Sequence, residues 1–137
     1  FLDTSRRMLL QSLDEAVNHP LGTAFRARIE EAGLAMGGKT GTAQVRRITM
    51  AEREKGKRKN EELPWRERDH ALFVGYAPAD SPRYVVSVIV EHGGGGAKVA
   101  APIARDVLRV LQRRREPLER PGRRSVAAFK DLGRTSP

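Results

Sequence analysis

An α+β fold, with helices packed on an antiparallel sheet, is the class this sequence predicts, and three features predict it. Two runs rich in β-branched and aromatic residues, 71–77 and 83–91, flank Pro78, Asp80, Ser81 and Pro82, a composition suited to a hairpin turn. A third strand-like run, 36–47, precedes them. Apolar residues recur at helical spacing on either side of this block, at 9–17 and 103–111. Antiparallel strands bracketed by helices resolve into helices laid against one sheet.

Taken in order, the first helix should bury Leu9, Leu13, Ala16 and Val17, and Pro20 with Gly22 should end it. Thr23 can cap a second short helix reaching to residue 32. Within and just beyond the run 36–47, Thr42, Val45, Ile48 and Thr49 supply β-branched residues suited to an extended chain. The mixed-sign run 46–70 reads as a charged excursion between two strands, carrying a short helix near 49–55 or no fixed structure, with Trp65 anchoring it to the body. After the hairpin, Gly93-Gly94-Gly95-Gly96 reads as a flexible connection more readily than as an anion-binding turn. The final helix, from Ala100 to Arg114, should place Ile103, Val107, Val110 and Leu111 on one face.

Composition narrows the function classes. Aromatic residues are 5% and charged residues 31% of 137, so a core built by this chain alone is thin and is expected to need neighbouring segments. The absence of cysteine excludes disulfides and thiolate metal sites without locating the protein. His19, His70 and His92 are far apart in sequence, and none forms an i, i+4 zinc pair, so they read as structural or exposed. A net charge of +9 raises nucleic acid or an acidic membrane surface as partners. Its distribution argues against nucleic acid. Residues 113–137 hold eight basic residues against Glu116, Glu119 and Asp131, and with Pro117, Pro121, Gly122, Gly133 and Pro137 interspersed they read as a solvated, weakly structured tail more readily than as a basic arm for anionic lipid or polymer. The chain opens Phe1-Leu2-Asp3 without an initiating methionine and contains no long apolar run, so it is expected to be a piece of a longer protein.

Two incompatible motifs overlap in the run from Gly33 to Val45. Gly33-Leu34-Ala35-Met36-Gly37-Gly38-Lys39-Thr40 satisfies the phosphate-loop pattern G-x-x-x-x-G-K-[ST]. Lys39-Thr40-Gly41 is also the Lys-Thr-Gly element of serine acyl-transfer enzymes. A phosphate loop closes a buried strand and opens a helix. Here the preceding residues 24–32 are charged and helix-like, and Gly41 and Thr42 disfavour a helix after the lysine. If the segment is extended, Thr40 and Thr42 share one face while Lys39 and Gly41 share the other. Two hydroxyls beside an ammonium can hold a carboxylate, and a free amide at a strand edge can bind a developing oxyanion. Gly41 lets a ligand or another backbone approach.

Several spaced segments carry a resemblance. Gly22-Thr23-Ala24, then 38–45, then Arg68-Asp69-His70-Ala71-Leu72-Phe73-Val74-Gly75-Tyr76-Ala77-Pro78, then 88–96, then Ala101-Pro102-Ile103-Ala104 together resemble the C-terminal part of the class B penicillin-binding proteins, most of all the elongation type, penicillin-binding protein 2. The likeness covers residues 1–112 as part of a transpeptidase domain and leaves 113–137 as a tail. It implies a serine β-lactamase-like α+β fold and a peptidoglycan D,D-transpeptidase. The substrates implied are stem peptides ending in D-alanyl-D-alanine, with acylation by β-lactams; no cofactor or metal is implied. Lys39 takes the role of assisting the acid/base serine and the substrate carboxylate. Thr40 and Thr42 bind that carboxylate, the backbone nitrogen of Thr42 is one oxyanion donor, and Gly41 leaves room for the acyl group. The likeness further implies a parent anchored by an N-terminal helix at the periplasmic face of the inner membrane. Its partners there would be a membrane glycosyltransferase and scaffold proteins of the elongation machinery.

The departures matter as much. Serines 5, 12, 81, 87 and 125 are followed three residues on by Met8, Glu15, Tyr84, Val90 and Ala128, and Ser136 by nothing. No Ser-x-x-Lys or Ser-x-Asn element is present, and serine catalysis needs a nucleophile held beside a base. The chain alone is therefore expected to be inert, with the missing N-terminal part of the domain supplying the nucleophile. The competing readings are a nucleotide-binding domain and a non-enzymatic basic interaction module.

Overall fold

Along Tyr84-Val85-Val86-Ser87-Val88-Ile89-Val90 the residues alternate between half-buried and exposed, the pattern of a strand with one covered face. The computed structural model, which describes residues 2–56 and 58–114, places this run at one side of a three-stranded antiparallel sheet. The strands are β1 (Gly37–Ala43), β2 (His70–Ala77) and β3 (Tyr84–Val90), paired in the order β1-β2-β3. Helices α1 (Leu2–Asn18) and α3 (Ala100–Arg113) bracket them, and α2 (Met50–Lys55) lies in the excursion between β1 and β2. No helix among the described residues is long and apolar enough to cross a membrane. The tail expected from residue 113 lies outside the described residues beyond Arg114.

Register fixes the two faces of the sheet. Thr40 pairs with Phe73 and Phe73 with Val88, so these share a face with Thr42, Ala71 and Val90. Lys39 pairs with Val74 and Val74 with Ser87, sharing the opposite face with Gly41, Leu72 and Ile89. The alternation expected for Lys39 to Thr42 is thus present. Helix α3 covers the Phe73 face: a Cβ on Gly75 would lie 3.5 Å from Leu108. On the other face the Tyr76 hydroxyl donates to Leu10 O of α1 at 3.2 Å, and burial pushes its pKa up. Phe73, Met36, Leu108 and Val17 are the largest fully buried side chains and join one core with Ala71, Ala77, Ala100 and Ala104.

Four expectations need correction. The helix expected from Thr23 to residue 32 is only the 3-10 turn Phe25–Ala27, entered from Ala24 without a side-chain cap. Arg28 is already extended, and the buried residues Ala24, Ala27 and Ile29 end on a two-residue spacing that a helix cannot bury on one side. The first strand stops at Ala43 and does not reach residue 47, because its partner begins at His70 and Ala43 pairs with that residue. In α1 Val17 is fully buried, whereas Leu9 is 60% exposed. In α3 the buried residues are Ala100, Ala101, Ala104 and Leu108, while Ile103, Val107 and Val110 are 41–52% exposed. Small alanines let α3 sit close to the sheet over Phe73 and Gly75, which the larger residues would prevent.

Candidate active-site strand

Residues 37–43, Gly-Gly-Lys-Thr-Gly-Thr-Ala, hold little apolar surface of their own, so neighbours must place them. The Asn18 amide at the end of α1 donates to Met36 O at 2.9 Å, just before β1 begins. Gly22 packs on the last turn of α1, where a Cβ would fall 2.5 Å from Glu15 O and 2.6 Å from Ala16 O, and Ala24 N donates to Ala16 O at 2.9 Å. That close approach brings Thr23 to β1, with its hydroxyl oxygen 3.4 Å from that of Thr40. The sequence assigned Thr23 a capping role and gave no sign of its place beside Thr40.

Along β1, Lys39 and Thr42 are exposed, whereas Thr40 and Gly41 are half-buried. The Lys39 ammonium donates to Thr40 O at 2.9 Å, keeping the charge at the main chain of the strand. Beside it opens a cavity of about 650 Å³ lined by Lys39, Thr23, His19, Ala16, Leu13 and Ser12. Thr23 also lines a neighbouring groove with Phe25, Ala97 and Pro102. Of the residues predicted for the site, Lys39 lines the cavity; Thr40, Gly41 and Thr42 line neither of these two spaces, and Thr40 reaches the region only through Thr23. Among the described residues β1 is paired on one side only, and in such a strand alternate amides point away from the sheet. The extended path from Lys39 through Ala43 is not the helix entry that a phosphate loop requires.

The excursion is fastened at both of its ends. Thr49 caps α2 by accepting from Glu52 N at 3.3 Å, and Glu52 accepts from Thr49 N at 3.2 Å, a reciprocal cap. The Arg46 guanidinium, 2.9 Å from Glu52, with help from the Thr49 amide, holds that carboxyl down to about 2. At the returning end Asp69, 3% exposed, receives a hydrogen bond from Asn60 Nδ2 at 3.3 Å, and its own amide donates to Asn60 Oδ1 at 3.0 Å. The Trp65 ring lies tilted by 57° against His92, ring centres 4.4 Å apart, yet stays 57% exposed; Leu63, 4% exposed, is the apolar residue buried among the described residues of this segment. His70 and His92, distant in sequence, meet: His92 N donates to His70 Nδ1 at 2.8 Å. No group of three or more His, Cys, Asp or Glu side chains among the described residues could hold a metal ion.

Sheet, helices and strand define the class: an α+β domain organised around a Lys-Thr-Gly strand, the architecture of penicillin-binding transpeptidases and serine β-lactamases. The penicillin binding protein transpeptidase domain family matches residues 3–109, and the chain belongs to it. It is 38% identical over 120 residues to the peptidoglycan D,D-transpeptidase MrdA of Haemophilus influenzae, covering 88% of this chain and 18% of that protein. With MrdA of Acinetobacter baumannii it shares 51% identity over 70 residues, 48% of this chain and 10% of the relative. Pseudomonas aeruginosa PBP2 in complex with WCK 5153 superposes with a TM-score of 0.53 at 34% identity, over 72% of this chain and 18% of that one. The complex of PBP2 and MreC from Helicobacter pylori gives a TM-score of 0.58 at 27% identity, over 74% and 16%. The chain spans less than a fifth of the length of these relatives.

Proposed function

We propose that this chain supplies the substrate-clamping strand of an elongation-type peptidoglycan D,D-transpeptidase. The observation that carries the reading is the placement of Lys39, Thr40, Gly41 and Thr42 on an outer strand, with Lys39 and Thr23 lining one open cavity. A serine from the preceding part of the domain attacks the carbonyl of the penultimate D-alanine, the terminal D-alanine leaves, and the acyl group passes from the serine to the amine of a second stem peptide. The Lys39 ammonium steadies the acid/base serine and the donor carboxylate. The Thr40 and Thr42 hydroxyls hold that carboxylate, and the Thr42 amide stabilises the oxyanion of the tetrahedral intermediate. Gly41 leaves space for the acyl group.

β-Lactams enter the same site and remain as acyl-enzymes. The preceding part of the domain also covers apolar side chains that are exposed here: Val74, Val85 and Ile89 on one sheet face and Ile103, Val107 and Val110 on α3. The longer protein works at the periplasmic face of the inner membrane, alongside a glycosyltransferase and a scaffold protein; a relative solved as a complex of PBP2 and MreC supports the latter.

Acylation by a fluorescent penicillin tests the reading. The complete protein should be labelled and residues 1–137 alone should not. Lys39→Ala and Thr42→Ala in the complete protein should each slow labelling by about 10- to 100-fold, the loss of one hydrogen bond to a charged group. Unchanged labelling in both variants would refute the assignment, as would labelling of the short chain.

A further inference from the structure

We infer that Gly96 is a positioning residue for the oxyanion donor at Thr42, acting through direct contact between the turn that leads into α3 and the backbone of β1; the inference rests on the transpeptidase reading above. A Cβ built on Gly96 would lie 2.4 Å from Gly41 O, 2.3 Å from Leu72 O and 3.0 Å from Gly41 N. The obstacles are main-chain atoms on paired strands, which cannot swing aside as a side-chain tip can. Gly41 O and Thr42 N belong to one planar peptide unit, so whatever displaces the first displaces the second. The contact comes from the Phe73 face, since a Cβ on Gly41 itself points the other way and meets only Leu72.

Gly96 has no room to retreat. Its carbonyl accepts from Ala101 N at 2.8 Å, and Gly95 O accepts from Lys98 N and Val99 N at 3.1 Å each. Behind it Ala100, Ala101, Ala104 and Leu108 are fully buried against the sheet. Strand β1, paired on one side only among the described residues, is the softer partner and gives way outward. Ordinary contact begins near 3.4 Å, so a methyl at 96 asks for a shift of about 1 Å, and a displacement of that size at a reacting group costs on the order of 100-fold. Gly95 provides the control, because a Cβ there meets nothing within 4 Å.

The experiment uses the complete protein and a fluorescent penicillin, resolving the binding constant, the acylation rate constant and the stoichiometry of labelling. For Gly96→Ala we expect full stoichiometry, unchanged binding and an acylation rate constant about 10- to 100-fold lower, with Gly95→Ala like the parent. Reading the rate constant separately from stoichiometry matters, because a purely structural role would lower only the fraction that labels. Parental acylation in Gly96→Ala, an equal loss in Gly95→Ala, or a Gly96→Ala protein without any labelled fraction would overturn this inference alone. An unlabelled parent would overturn the transpeptidase reading and this inference with it.

Discussion

Replacing Asn60 by alanine should loosen the excursion and, through it, the end of β1. Asn60 gives Asp69 one donor and takes its amide, at 3.3 and 3.0 Å, around a residue only 3% exposed. Truncation strands that amide, and a buried unsatisfied group costs about 1–3 kcal/mol. Asp69 keeps other interactions, so the value should fall in the lower half, about 1–2 kcal/mol, or roughly a 5- to 30-fold rise in local opening. Amide hydrogen exchange on the complete protein, read by mass spectrometry, should show residues 58–69 exchanging faster by that factor while β3 and α3 are unchanged. Asn60→Asp should be worse at neutral pH, because it sets a second carboxylate against Asp69. The path to the site is short: Asp69 precedes His70, His70 pairs with Ala43, and Ala43 follows Thr42. Parental exchange over 58–69 in Asn60→Ala, or equal acceleration throughout the domain, would refute the reasoning.

Two further outcomes are expected. Glu52, held to about 2 by Arg46 first and the Thr49 amide second, has a folded pKa below its unfolded value of 4.5. Its contribution is complete above that unfolded value and is lost as pH falls through about 2. An NMR titration should place its midpoint near 2, and Arg46→Ala should raise it; a parental midpoint in the ordinary glutamate range would contradict the pairing. Leu108→Ala, at a fully buried position facing Gly75, should cost about 3 kcal/mol in urea unfolding of the domain. Asp106→Ala, whose side chain is 61% exposed on the same helix, should cost well under half of that; the reverse ranking would mean that α3 presents another face.

What could be read in the sequence divides along a physical line. β2 and β3 were legible within a residue, because β-branched runs bounded by Pro, Asp and Ser carry their limits locally. The short helix near 49–55 was legible too, and Thr49 with Glu52 three residues on is the signal that starts it. The end of β1 was not, since nothing in Gln44 or Val45 stops a strand; pairing stops where β2 does. The buried side of α3 was hidden for a related reason. Ile103, Val107 and Val110 form the more apolar stripe, and only the shape of the sheet, with Phe73 raised and Gly75 low, favours the alanine side. The meeting of His70 with His92 and of Thr23 with Thr40 depends on how distant segments fold back, which no local pattern encodes.

The site strand itself illustrates a conflict between reactivity and stability. Glycine and threonine leave one edge open to a ligand, but Gly37, Gly38 and Gly41 contribute no side-chain packing and lower the intrinsic strand preference. The order that β1 lacks is imposed from outside. The Tyr76 ring lies over Gly37, the Phe73 ring presses on Gly38, and Gly96 backs onto Gly41. Tyr76 and Phe73 stand where a side chain at Gly37 or Gly38 would have to be, so those two glycines serve as seats for neighbours, whereas Gly41 is approached from its opposite face. On the transpeptidase reading proposed above, the residues controlling acylation should not be confined to those touching the donor. Substitutions at Phe73, Gly96 and Asn60 should move the rate through the position of Thr42, while exposed residues at similar distance that touch none of these seats should leave it alone.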